Sequence, residues 1–74
     1  MTAELDARGL KCPLPVLRAR KALRDVDPGE ILTVLATDPA APRDFEAFCD
    51  QTGHPFISCV EQDGDYTIVL KRKS

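Results

Sequence analysis

Of the residues able to do chemistry in this 74-residue chain, Cys12 has the most telling surroundings: it stands in Arg8-Gly9-Leu10-Lys11-Cys12-Pro13-Leu14-Pro15. A helix leaves its first N–H groups without intrahelical partners, and proline suits the first helical position because its missing N–H would be unpaired there anyway. With Cys12 as N-cap, Pro13, Leu14 and Pro15 become the first three helical residues, and the Leu14 amide is free to point back at the cap. That amide, the positive helix end and Lys11, with Arg8 as a further cation, favour a thiolate at Cys12. Ser, Thr, Asp or Asn would cap a helix better than Cys. The stretch therefore reads as a sulfur nucleophile rather than as a cap alone.

The other candidate groups are Cys49, Cys59 and His54. Cys49 falls on the apolar stripe of a second helix and Cys59 on the core side of a strand, the usual places for cysteine as a small hydrophobe. A resolving thiol at Cys49 is the alternative. Zinc sites normally show short paired spacings such as Cys-x2-Cys, and none is present here, so no metal and no cofactor are expected. His54, between Gly53 and Pro55, reads as a loop residue rather than a base or ligand. No serine–histidine–acid set, phosphate loop or dinucleotide fingerprint occurs. A cysteine enzyme pairs its nucleophile with a base and an oxyanion site, and this chain has one distant histidine and little room for a small-molecule pocket. A Cys-x-x-Cys redox protein would place a cysteine where Pro15 stands. A thiol that accepts a group and passes it on remains.

The elements that must position Cys12 follow from period and punctuation. Glu4 to Ala7 reads as a first strand broken by Gly9. Pro13 to about Val26 is helical, with Val16, Ala19, Ala22, Leu23 and Val26 on one stripe. Leu14 and Leu17 leave that stripe, either to pack under the preceding loop or to form an apolar collar near Cys12. Asp27-Pro28-Gly29 is a turn, and Glu30 to Thr37 a central strand apolar on both faces. Asp38-Pro39-Ala40-Ala41-Pro42 leads into a second helix with Phe45, Phe48, Cys49 and Thr52 on one side and Gly53 just past its end. Pro55 to Gln62 and Asp65 to Lys71 flank Asp63-Gly64, a two-residue hairpin signal. That turn pairs Cys59 with Ile68 and Ile57 with Leu70 on the better core face, and Ser58 with Val69 and Val60 with Thr67 on the other. The order β-α-β-α-β-β predicts an α/β two-layer sandwich, with a mixed four-stranded sheet and two helices on one face. A right-handed first crossover is expected if strands one and two are parallel neighbours.

Length allows one domain, residues 1–74. Three cysteines, an odd number, argue against a closed disulfide framework. Residues 1–5 lack the basic start and apolar run of a signal peptide, and no apolar stretch is long enough to span a bilayer. Reduced thiols in a cytoplasm are the expectation. The net charge of −2 lacks the positive excess of a nucleic-acid module. Basic residues do gather in Arg18, Arg20, Lys21 and Arg24, and again in Lys71, Arg72 and Lys73. They read as a solvated helix face and a soluble tail, or as a small face for an acidic partner or an RNA backbone.

Leu5-Asp6-Ala7, Gly9-Leu10-Lys11-Cys12-Pro13-Leu14-Pro15 and Leu23 resemble the TusA/SirA-like, or CPxP, sulfur carriers. The resemblance continues through Pro28-Gly29-Glu30, Asp38-Pro39-Ala40, Arg43-Asp44 and Phe48-Cys49, covering nearly the whole chain. It implies the same β-α-β-α-β-β sandwich and a persulfide carried on Cys12, with Lys11, Arg8, Pro13, Leu14 and Pro15 in support. Sulfur would arrive by transpersulfidation from a cysteine desulfurase or rhodanese-like protein and leave to an acceptor sulfurtransferase. Neither direct nucleic-acid contact nor a membrane is required. A neighbouring resolving cysteine would discharge the persulfide, and the core readings of Cys49 and Cys59 fit that need. The family serves tRNA 2-thiouridine synthesis, sulfur oxidation and cofactor pathways. The segment from Asp38 to Cys49 looks closest to the tRNA-thiolation type. A non-catalytic regulatory or RNA-binding module of the same fold, and a thiol redox protein using Cys12 with Cys49, are the alternatives.

Overall fold

The computed structural model describes residues 2–73. Its elements run β1 (Thr2–Ala7), α1 (Leu14–Leu23), β2 (Ile31–Ala36), α2 (Ala41–Thr52), β3 (Phe56–Gln62) and β4 (Asp65–Lys71). The sheet order is β1-β2-β4-β3, with β1 parallel to β2 and the other two pairings antiparallel. The expected mixed sheet and element order are therefore present. Buried side chains of both helices, among them Ala19, Leu23, Phe45 and Phe48, join Leu32, Val34, Ala36, Ile68 and Leu70 of the sheet in one core. Two helices against one sheet face make the two-layer sandwich.

Neighbouring strands decide which side of β2 turns inward. Leu32, Val34 and Ala36 are buried and alternate with half-buried Ile31, Thr33 and Leu35. Ala36 lies opposite Ala7 of β1, and Val34 lies opposite both Leu5 of β1 and Ile68 of β4. Residues in register share a sheet face, so one apolar row crosses three strands. Phe45, Leu32, Ile68, Leu70 and Val34 are the largest fully buried side chains. Burying each contributes about 1.5–3 kcal/mol, a large share in a domain this small.

Three details differ from the sequence reading. Helix α1 ends at Leu23 rather than near Val26. Arg24, Asp25 and Val26 donate their N–H groups three residues back, to Lys21, Ala22 and Leu23. Those bonds tighten the helix end into a turn that still buries Val26. In the hairpin, Cys59 faces Ile68, Ser58 faces Val69 and Val60 faces Thr67, but Leu70 faces Phe56, not Ile57. A bulge between Phe56 and Ser58 absorbs the extra residue and leaves Ile57 51% exposed. Finally, the basic end of the chain is bonded rather than free. The Arg72 guanidinium donates to the Val26 carbonyl. Lys73 donates its Nζ to the Thr52 carbonyl at 2.8 Å and its backbone N–H to His54 Nδ1 at 3.1 Å.

Gly53 closes α2 in the left-handed conformation (φ 86°), its N–H bonded to the Cys49 carbonyl. A side chain there would be strained by that φ. Among the described residues, no helix is long and apolar enough to cross a membrane.

Candidate functional site

Parallel pairing of β1 with β2 brings the loops that follow them side by side at the carboxyl end of the sheet. One loop carries Cys12 and the other carries Asp38. Gly9, at φ 82°, donates its N–H to Thr37 Oγ1 at 2.9 Å. The Cys12 N–H donates to Asp38 Oδ2 at 2.6 Å, and the other carboxylate oxygen accepts the Ala40 N–H at 2.8 Å. The Asp38 carboxylate thus joins the two loops. The bonds from the Ala40 and Cys12 amides lower its pKa, with Lys11 adding a favourable charge.

The start of α1 is displaced by one residue from the sequence reading. Pro13, not Cys12, is the N-cap, and Leu14 and Pro15 open the helix. Pro13 has no N–H, and its carbonyl accepts the Leu17 N–H at 3.1 Å. The Leu14 amide is not free for the cysteine: it donates to the Lys11 carbonyl at 2.8 Å. Cys12 thus stands outside the helix in an exposed turn, and the Cys12–Pro13 peptide bond is cis.

The electrostatics of the thiol also reverse the expectation. The Cys12 pKa is raised, first by a side-chain hydrogen bond with Asp44, then by desolvation and by the charges of Asp44 and Asp38. Arg8 is turned elsewhere: its Nε and Nη2 donate to the two carboxylate oxygens of Asp6, both at 2.9 Å. That pairing holds the Asp6 carboxyl at about 2. The charge of Lys11 acts on Asp38. The charges that act on this sulfur are the carboxylates of Asp44 and Asp38, and with desolvation they push the thiol up.

Cys12 opens on a cleft of 200 Å³ between the helices, shared with Pro13, Val16, Arg20, Asp44, Ala47, Phe48 and Gln51. The Arg20 guanidinium sits 5.6 Å from the centre of the Phe48 ring, a cation–π placement on its wall. Pro15 is buried beneath the motif. Leu14 and Leu17 do not pack under the preceding loop. They are 44% and 51% exposed and line a separate open groove with Leu5, Arg18, Lys21, Ala22 and Asp25.

Cys49 is buried, Cys59 is half-buried, and all three cysteines are free thiols. Burial raises the pKa of the Cys49 thiol, and the same cause acts first on Cys59. Cys49 borders a different depression from Cys12, with Glu46, Asp50, His54 and Phe56. His54 lies against Phe48 with ring centroids 5.7 Å apart, and burial first, then Lys73 and Arg72, lower its pKa. Among the described residues, no group of three or more His, Cys, Asp or Glu side chains is arranged to hold a metal ion.

Sequence reasoning gave Asp38 and Asp44 no role at the site. Asp38-Pro39-Ala40 carries a usable signal, since Asp in a turn accepts the N–H two residues on. Asp44 lies in the first turn of α2, where a carboxylate also complements the helix end. Its contact with Cys12 is tertiary and leaves no local pattern.

Residues 3–72 match the family described as Sulfurtransferase TusA. A candidate sulfur carrier protein of Neisseria meningitidis is 61% identical over 69 residues, 93% of each chain. The sulfur carrier protein TusA of Allochromatium vinosum is 46% identical over 69 residues, covering 93% of this chain and 91% of that protein. Among solved structures, the SirA-like protein of Desulfitobacterium hafniense superposes with a TM-score of 0.84 at 28% identity, covering both chains completely. With its fold, its Cys-Pro-Leu-Pro turn and these relatives in agreement, the chain belongs to the TusA family.

Proposed function

We propose that the whole chain acts as a sulfur carrier that takes up sulfane sulfur as a persulfide on Cys12 and relays it to another protein. One observation carries this reading: of three free thiols, Cys12 alone is exposed, on a turn pinned at Gly9 and Cys12 to the neighbouring loop. The Cys12 thiolate attacks the outer sulfur of a donor persulfide. A new S–S bond forms at Cys12, the donor's S–S bond breaks, and the donor cysteine leaves as a thiolate that takes up a proton. The transfer exchanges one persulfide for another and needs no oxidant. An acceptor cysteine repeats the step in the forward direction. The donor is a cysteine desulfurase or rhodanese-like protein, and the acceptor a sulfurtransferase of tRNA 2-thiouridine synthesis, sulfur oxidation or a cofactor pathway. A reducing cytoplasm suits free thiols.

Incubation with a cysteine desulfurase and cysteine, followed by intact mass before and after reduction, tests the proposal. A reducible gain of one sulfur, absent in Cys12→Ser and kept in Cys49→Ser, is expected. No gain from any persulfide donor sinks the carrier reading. A Cys12–Cys49 disulfide would favour redox chemistry, and RNA binding that survives Cys12→Ser a regulatory or RNA-binding module.

A further inference from the structure

Two features that sulfur transfer at Cys12 does not use lie side by side. The first is the free edge of β1. In the sheet order β1-β2-β4-β3, β1 has one strand neighbour, so alternate backbone N–H and C=O groups point away from the sheet. Its pairing with β2 runs without a register shift, unlike the bulged pairing of β3. The second is the open groove of 710 Å³ between β1 and α1. Leu14, Arg18, Lys21 and Asp25 follow one another at helical spacing along it, on the flank of α1 opposite Val16 and Arg20, which face the cleft at Cys12. The groove therefore lies on the side of α1 away from α2, with Leu5 of β1 in its floor. A chain laid along β1 as a fifth strand would turn every second side chain toward α1, as β1 itself turns Leu5.

What those side chains meet defines the occupant. Leu14 and Leu17 are exposed and offer apolar contact. Arg18 and Lys21 are exposed, neither ion-pairs with another described residue, and together they outweigh Asp25. On the other face of the sheet β1 carries the exposed Glu4. A second copy adding through its own β1 would bring Glu4 toward its like on one face, and Arg18 and Lys21 toward theirs on the other. The charges select against a second copy and for an acidic partner.

We propose that a partner protein docks an extended segment on the free edge of β1, with apolar side chains seated on Leu14 and Leu17 and acidic ones reaching Arg18 and Lys21. Backbone hydrogen bonds to β1 supply affinity, and the alternate side chains in the groove supply the choice of partner. The groove begins at Leu14, close after Cys12 in the chain, so a segment held there tethers its protein beside the thiol and leaves the cleft between the helices open. The inference goes beyond the persulfide reading and does not depend on it, because no step of it uses the thiol.

The test titrates the isotope-labelled full chain, with Cys12→Ser in parallel, by NMR with the synthetic peptide Thr-Glu-Thr-Leu-Thr-Leu-Thr-Glu-Thr, up to about 2 mM. Amide shifts gather on β1 and on the groove flank of α1, and they are the same in Cys12→Ser. Replacing both Glu of the peptide by Lys weakens binding roughly 3- to 10-fold, and in the doubly substituted Arg18→Glu, Lys21→Glu protein the preference reverses. Leu17→Ala, at an exposed position, weakens the original peptide if the charge-reversed protein folds poorly. No binding, shifts confined to β3 or to the cleft at Cys12, or equal affinity for the Lys peptide overturns the proposal. Equal binding by a peptide methylated at every backbone nitrogen overturns strand addition. Shifts on β1 that grow with protein concentration in the absence of peptide overturn the assigned occupant in favour of a second copy.

Discussion

Asp38 accepts the backbone N–H of Cys12 at 2.6 Å, a bond that spans 26 residues of chain and ties the loop after β1 to the loop after β2. It fixes the backbone on which the thiol is mounted, while Asp44 lines the same cleft from α2.

Removing that acceptor should loosen the turn without unfolding the sheet. In Asp38→Ala the amides of Cys12 and Ala40 lose their side-chain partner. We expect amide hydrogen exchange at these two positions to quicken roughly 3- to 10-fold, with the amides of β2 and β4 unchanged. Exchange measured by NMR checks it, and equal acceleration throughout the sheet would show a global effect instead.

The core prediction concerns Phe45, fully buried and in edge-to-face contact with Phe48 at 6.5 Å. Phe45→Ala should cost about 3–5 kcal/mol. Small domains are stable by only about 5–15 kcal/mol, so the variant should lose a large share of its stability. Urea denaturation followed by circular dichroism gives the number.

The hairpin bulge makes a paired prediction. Ile57→Thr, at an exposed β-branched position, should stay within about 0.5 kcal/mol of the natural chain. Phe56→Ala, across from Leu70 and packed on the core, should cost about 1–3 kcal/mol after allowance for its partial exposure. The regular register would reverse that order, and thermal unfolding of the two variants decides it.

The pH dependence of stability should include His54. Its folded pKa lies below the ordinary 6.5, so between the two values the unfolded chain binds more protons. The contribution of neutral His54 is complete above pH 6.5 and is lost as the pH falls through the folded value. Protonation also removes the Nδ1 acceptor of the Lys73 N–H. We expect His54→Gln to flatten this limb of the stability profile, measured by melting temperature across mildly acidic buffers.

Most of the fold could be read from local pattern. Apolar and β-branched runs between turn residues marked the strands, the Phe45–Phe48–Cys49 stripe marked α2, and Asp63-Gly64 marked the hairpin turn. The register failed at Ile57 because a bulge answers to how Phe56 fills the core, which the hairpin sequence alone does not encode. The same limit applied at the site. The Cys-Pro-Leu-Pro stretch singled out Cys12, which the fold leaves exposed, but the helix begins one position later, with the Leu14 amide bonded to the Lys11 carbonyl. Nearby cations in the sequence suggested a stabilised thiolate. Folding instead pairs Arg8 with Asp6 and brings in Asp44 from 32 positions along the chain, a contact no local spacing announces.

The sheet has two outer strands, β1 and β3. An outer strand offers unpaired backbone groups to any passing chain, and a straight one invites a second copy to zip along it. In β3 the extra residue between Phe56 and Ser58 breaks the even spacing of that row. Along that edge an approaching chain meets no even ladder to extend.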